Sequence, residues 1–188
     1  SAKLSTTFPP VFNTYNGDAR LDVVTPAVLT ISTSYTFSEK TTVELTWDKT
    51  YWGDYKQLDF NYNGTLVNPV LIGAFDDAKP KNWHDSNAYR IGITHKCTDR
   101  FTAMLGFAYD ESPIPSDTLG FELPGSDALL FSFGGRYQVN EHLELGGAYL
   151  LDAKKTREIT NPANTSSING KFEDAGAHVV TLGMIYKF

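Results

Sequence analysis

No stretch of this sequence approaches the run of about 18 apolar residues that a membrane-spanning helix needs, and mean hydropathy is -0.28. A helical span is excluded. A transmembrane β-barrel is not, because strands that alternate in polarity average out. Cysteine is nearly absent: Cys97 stands alone, so the chain has no internal disulfide and no cysteine-rich metal site. Positive charge is in deficit, with 16 Lys+Arg against 22 Asp+Glu and a net charge of -6, which argues against a nucleic-acid partner. The opening Ser1-Ala2-Lys3 does not read as a signal peptide and suggests a processed or truncated start. Segments of helical period and useful length are also missing.

Aromatic residues are plentiful, at 13% of the chain. A large aromatic core and a membrane girdle both fit that figure. Alternation decides more. From Ala27 to Phe37 the odd positions are Ala27, Leu29, Ile31, Thr33, Tyr35 and Phe37, whereas the even positions are mostly small and polar. Such a period of two means a strand with different solvents on its two faces. The pattern recurs at Val43–Tyr51, Tyr89–Lys96, Phe101–Asp110, Leu129–Val139, Leu143–Asp152 and Val179–Phe188. These are seven clear strands; Lys3–Phe8, before Pro9-Pro10, is expected to be an eighth.

The connections alternate in length. Short turns are expected at Ser38–Lys40, Thr98–Arg100 and Asn140–His142. Long segments rich in Pro, Gly, Asn and Asp fall at Gly53–Trp83, Glu111–Ser126 and Glu158–Glu173. Short turns at one end and long loops at the other describe a bacterial outer-membrane barrel. The expected fold is therefore all-β: a transmembrane antiparallel up-and-down β-barrel of about eight strands, with long extracellular loops and short periplasmic turns. Residues 1–188 would form one barrel domain, or the C-terminal part of a larger barrel, without a hatch domain.

The apolar face carries Tyr35, Phe37, Tyr137, Tyr186 and Phe188 towards the short turns, and Trp47, Tyr51, Tyr109, Tyr149 and Phe131 towards the loops. Two such bands are expected at the two membrane interfaces. The opposite face sets Glu44, Asp48, Arg90, Lys96, Asp110, Arg136, Glu144, Asp152 and Lys187 among Gly, Ser, Thr and Ala, which reads as a lumen holding ion pairs. The chain ends Ile185-Tyr186-Lys187-Phe188, and the alternating apolar residues before a terminal aromatic resemble an outer-membrane assembly signal carried by Tyr186 and Phe188.

Several segments, in order, resemble the outer-membrane long-chain fatty-acid and hydrocarbon transporter family (the FadL/TodX type). They are VELTWDKTYWGDYKQLDF at Val43–Phe60, WHDSNAYRIG at Trp83–Gly92, FAYDESPIPSDT at Phe107–Thr118, ELPGSDALLFSFGGRY at Glu122–Tyr137 and HVVTLGMIYKF at His178–Phe188. Members of that family are longer, carry more strands, and have an N-terminal hatch with an Asn-Pro-Ala motif. Asn161-Pro162-Ala163 lies in a late loop and does not correspond to it. The resemblance therefore covers the C-terminal half only, leaving a fragment, an engineered truncation and a natural small barrel as alternatives. It implies passive uptake of long-chain fatty acids or other hydrophobic molecules. The competing reading is a truncated or small structural barrel with a plugged lumen.

By that resemblance, a basic residue at His84 would contact a ligand carboxylate. Arg90 and Arg136 could grip one bidentately, or instead pair internally with Glu44, Asp48 or Glu144. Phe60, Leu71 and Phe75 belong to an unusually apolar first loop, which is either a strand extension or a landing surface for a fatty-acid or hydrocarbon ligand. Adjacent strand residues point to opposite faces, so His84 and Asp85 are poorly placed for joint acid–base work. The histidines His84, His95, His142 and His178 lack metal spacing, and no nucleophile elbow is present. The reading is thus a non-enzyme with no cofactor, no metal and no nucleic acid, whose partners are lipid bilayer or detergent and the barrel-assembly machinery.

Overall fold

The computed structural model describes residues 2–6, 15–62, 73, 77–160 and 162–188, with backbone alone for 2–6 and 15–19. Its main feature is a sheet of seven long strands: β1 (Val28–Phe37), β2 (Thr41–Thr50), β3 (Ser86–Lys96), β4 (Phe101–Asp110), β5 (Ala128–Gln138), β6 (Leu143–Lys154) and β7 (Gly176–Tyr186). Each strand pairs antiparallel with the next in sequence, so the sheet is an uninterrupted up-and-down meander.

Local chemistry explains the three tight turns. Between β1 and β2, Ser38 and Glu39 take φ of 52° and 58°, and Lys40 N donates to Phe37 O at 3.2 Å. Two left-handed residues closing that bond reverse the chain within a three-residue connection, since Phe37 pairs with Thr41. Between β3 and β4, Thr98 Oγ1 accepts from Arg100 N at 3.2 Å and Phe101 N at 2.9 Å. Asn140 Oδ1 does the same between β5 and β6, from His142 N and Leu143 N, both at 2.9 Å. Side-chain oxygens thus stand in for backbone acceptors where the chain reverses.

Register fixes the faces. Ile31, Trp47, Tyr89 and Tyr109 are successive cross-strand partners, and so are Tyr35, Val43, Ile93, Leu105, Phe133 and Tyr149. These side chains share no interior: Leu105 is 60% exposed, Phe133 59% and Leu182 84%. An apolar face of this extent is stable only against lipid. On the other face Thr30 Oγ1 donates to Asp48 Oδ1 at 2.6 Å, and Ser32 and Thr46 share a hydroxyl bond at 2.8 Å. Glycines 92, 106, 134, 146 and 183 also lie on this face. A Cβ on Gly92 or Gly183 would meet nothing within 4 Å, so the inner surface is open there.

The packed core lies in the loops instead. Trp83, Ile114, Leu119, Ile159 and Ile168 are buried together, with Trp52, Tyr55 and Phe172 against them. All eight belong to the three long connections at the same end of the strands. Short ladders brace this cap: Gln57–Leu58 with Lys79–Pro80, and Arg157–Ile159 with Gly170–Phe172.

One strand differs from expectation. Ala2–Thr6 is extended, but it pairs with Tyr15–Leu21, which pairs in turn with Phe60–Tyr62 in a separate three-stranded sheet. Among the described residues it adds no eighth strand to the large sheet; the Phe8 end of the expected strand lies outside the described residues. Among the described residues, strands β1 and β7 are therefore the two unpaired edges. Both run from the loop end to the turn end, so pairing them directly would require a parallel contact.

Candidate functional site: the inward face and the loop cap

The strongest polar constellation lies on the inward face, close to the loop end. Arg90 of β3 bonds Asp48 of β2 through Nη1, and its Nη2 lies 3.4 Å from Asp110 Oδ1 of β4. Period-two alternation on three neighbouring strands brings these residues together. They border a recess of about 350 Å³ whose lining includes Thr50, Trp52, Glu111 and Pro113. Glu111 is held by the backbone N and side-chain Nδ2 of Asn87, at 3.0 and 2.7 Å.

Two other inward cations, Lys154 and Arg136, are also paired. Lys154 Nζ lies 3.2 Å from Asp152 Oδ2, while Asp152 Oδ1 is buried without a partner. Towards the turns, Arg136 Nη1 is 3.6 Å from Glu144 Oε1. The internal ion pairs Arg90–Asp48 and Arg136–Glu144 thus form, and these guanidiniums are not free.

His84 lies apart from Arg90. Its backbone N donates to Pro113 O at 3.1 Å, and the residue lines a polar hollow of about 480 Å³ with Ser112, Ser116, Asp127, Lys155 and Arg157. Asp85 turns elsewhere, accepting from Gly53 N at 3.0 Å and pairing with Lys49 at 3.4 Å. Both residues precede β3 instead of lying on a strand, yet they are separated as expected. Phe60 is half-buried in the short Phe60–Tyr62 strand. Leu71 and Phe75 lie outside the described residues. Tyr186 and Phe188 are exposed at the turn end, their rings 5.2 Å apart.

The cap holds residues that sequence reasoning missed. Arg157 Nη1 donates to Gly125 O at 2.6 Å, and Nη2 donates to Ile114 O at 2.5 Å. One guanidinium thereby ties the 111–127 loop to the 155–175 loop. Burial pushes Arg157 down from its ordinary value, but guanidinium stays charged. Asn164 is 5% exposed; its Nδ2 donates to Ser116 O and Leu119 O, and its Oδ1 accepts from Ser166 N and Ile168 N. An Asn ahead of a Thr-Ser-Ser run is a turn signal that could have flagged it. Lys81 reaches Glu122 at 2.5 Å, and that hydrogen bond lowers the Glu122 carboxyl.

Where wall meets cap, aromatic side chains reach up to polar partners. Trp47 Nε1 donates to Asn87 Oδ1 at 3.1 Å, and Tyr109 Oη donates to Asp127 Oδ2 at 2.7 Å. Lys155 Nζ lies 4.4 Å over the Tyr109 ring. Apolar ring bodies with polar tips at one height mark a membrane interface. Burial pushes the Asp127 carboxyl up, but Ser112 N–H, the Tyr109 hydroxyl and Lys155 outweigh it and hold it below its ordinary range.

A seven-stranded meander, greasy outside and polar inside, with aromatic tips beneath its long loops, is the wall of an outer-membrane β-barrel. Residues 2–188 match the family described as outer membrane protein transport protein (OMPP1/FadL/TodX), and the chain belongs to it. A putative outer membrane protein of Neisseria meningitidis serogroup B is 26% identical over 187 residues, covering 93% of this chain and 39% of that protein. A long-chain fatty acid transport protein of Escherichia coli O6:H1 is 31% identical over 78 residues, covering 40% of this chain and 18% of that protein. Among solved structures, a Pseudomonas aeruginosa FadL homologue superposes with a TM-score of 0.70 at 21% identity, over 91% of this chain and 37% of that one. The CymD monoaromatic hydrocarbon channel gives 0.58 at 20% identity, over 81% of this chain and 38% of that one. The chain thus spans about two-fifths of the length of the Neisseria protein and of the Pseudomonas homologue. Its location is the bacterial outer membrane.

Proposed function

We propose that this chain is the C-terminal arc of a larger outer-membrane barrel that passes hydrophobic small molecules, long-chain fatty acids or hydrocarbons, without catalysing a reaction. The family match along residues 2–188 carries the reading. The sheet edges support the larger barrel. Backbone groups of an edge strand cannot face lipid unpaired, and seven antiparallel strands present two edges of the same direction. All-antiparallel closure needs an odd number of further strands. For the same reason, a small plugged barrel made of this sheet alone is disfavoured. Phe60, Leu71 and Phe75 would belong to the outer capture surface, with Tyr186 and Phe188 addressing the barrel-assembly machinery.

The test is uptake of radiolabelled oleate and of a neutral alkane by outer-membrane vesicles, with and without the protein at its native length. Protein-dependent entry of either supports the proposal. Entry of neither overturns it.

A further inference from the structure

The inward face near the loops is rich in carboxylates. Among the described residues, the loop-side half of that face carries two cations, Arg90 and Lys154, and each is occupied by carboxylate. Arg90 faces both Asp48 and Asp110; Lys154 faces Asp152. The recess beside Arg90 sets three carboxylates, Asp48, Asp110 and Glu111, against that one guanidinium. Asp152 adds an oxygen that no donor satisfies. A fatty-acid carboxylate arriving here would find no free partner and a surplus of like charge, and in this recess one charge counts for more than in water. An uncharged molecule pays no such penalty and can use the apolar roof, where Trp52 and Pro113 line the same recess.

We infer that Asp48, Arg90 and Asp110 form a charge filter that selects neutral hydrophobic molecules over ionised fatty acids. The inference rests on the uptake reading above and narrows its substrate class. The filter acts by repulsion as much as by attraction. Arg90 itself is a positioning residue: its fork holds the two carboxylates at the inner surface.

A series of variants at native length, in outer-membrane vesicles, steps the charge. Asp110→Asn adds one positive charge, and Asp48→Asn with Asp110→Asn adds two and frees Arg90. The triple variant Asp48→Asn, Arg90→Gln, Asp110→Asn returns to one, with a different set of side chains. The readout is the ratio of oleate to neutral-alkane uptake at pH 8, where the fatty acid is ionised. The ratio should rise on the order of tenfold per added charge. The single and triple variants should match each other, since they share a net charge but not a hydrogen-bond pattern. A ratio that stays flat across the series overturns the filter while leaving uptake intact. Unequal single and triple variants would also overturn it, by showing side-chain identity at work instead of charge. Entry of neither probe in wild type removes the uptake reading and the filter together. Asp110→Asn leaves the Arg90–Asp48 pair in place, so it tests the idea even where the double variant fails to fold.

Discussion

The loops of this protein are packed like a soluble domain, and the strands are not. Leu119 and Ile159 are 0% and 1% exposed, and both sit in connections. Leu105, Phe133 and Leu182, in the middle of the wall, stand largely open. The difference shows where each region finds its stability. The cap buries apolar side chains against one another, as any domain core does. The wall gains its stability from ladder hydrogen bonds and from lipid around its outer face. A mutation should therefore act by different rules at the two levels.

The largest expected effect lies in the cap. Leu119→Ala should cost about 2–5 kcal/mol of local stability, the usual result for a fully buried leucine. Proteolysis of the 111–127 loop should accelerate in intact vesicles, while cleavage within the strands stays absent. In the wall, Leu105→Arg should cost about 2–4 kcal/mol, the scale for a cation on the lipid face near the bilayer midplane. Unfolding from detergent by urea would report it. A similar loss from Leu105→Ala would remove the distinction between the regions.

Smaller effects follow from the polar ties. Arg157→Leu leaves the carbonyls of Ile114 and Gly125 unsatisfied, at about 1–3 kcal/mol, and amide exchange across the two loops it joins should rise. Acid should act least. The Asp127 and Glu122 carboxyls are held below their ordinary values. Their contribution is thus fully present above the unfolded pKa and is lost as pH falls through the depressed folded value. Cap loosening should begin only below about pH 5. Fluorescence of Trp52 and Trp83 would follow it, and loosening already at pH 6 would contradict this assignment.

Much of the wall was legible in the sequence because its signal is local. Alternation marked all seven strands of the sheet, and the short connections expected at Thr98–Arg100 and Asn140–His142 are where the chain reverses. The turn at Ser38–Glu39 was legible from length alone, since neither residue advertises a left-handed backbone. The N-terminal strand shows the limit. Lys3–Phe8, ahead of Pro9-Pro10, reads as an extended segment, but pairing of Ala2–Thr6 with Tyr15–Leu21 is a choice among partners that no single strand encodes. The candidate cations were visible as inward residues, and internal pairing with Glu44, Asp48 or Glu144 stood as the alternative to ligand binding; Asp48 and Glu144 are the partners found. The link from Arg90 to Asp110 as well required the register between β3 and β4. The three loops were expected, but their packing into a cap was not legible. Trp83, Ile114, Leu119, Ile159 and Ile168 come from three loops, with no period to announce that they meet. Asn164 carried a turn signal in the Thr-Ser-Ser run after it, whereas Arg157 binds backbone carbonyls, which leave no trace in residue type.

The two-solvent wall can be measured directly by spin labels placed singly in a Cys97→Ser background. Labels at Leu105, Phe133 and Leu182 should collide readily with membrane-dissolved oxygen, and labels at Ser34, Thr46 and Ser132 with a water-soluble nickel complex. If the nickel complex reached Leu105 and Phe133 while oxygen favoured Ser34 and Ser132, the sheet would be facing the opposite way and the barrel account would fail.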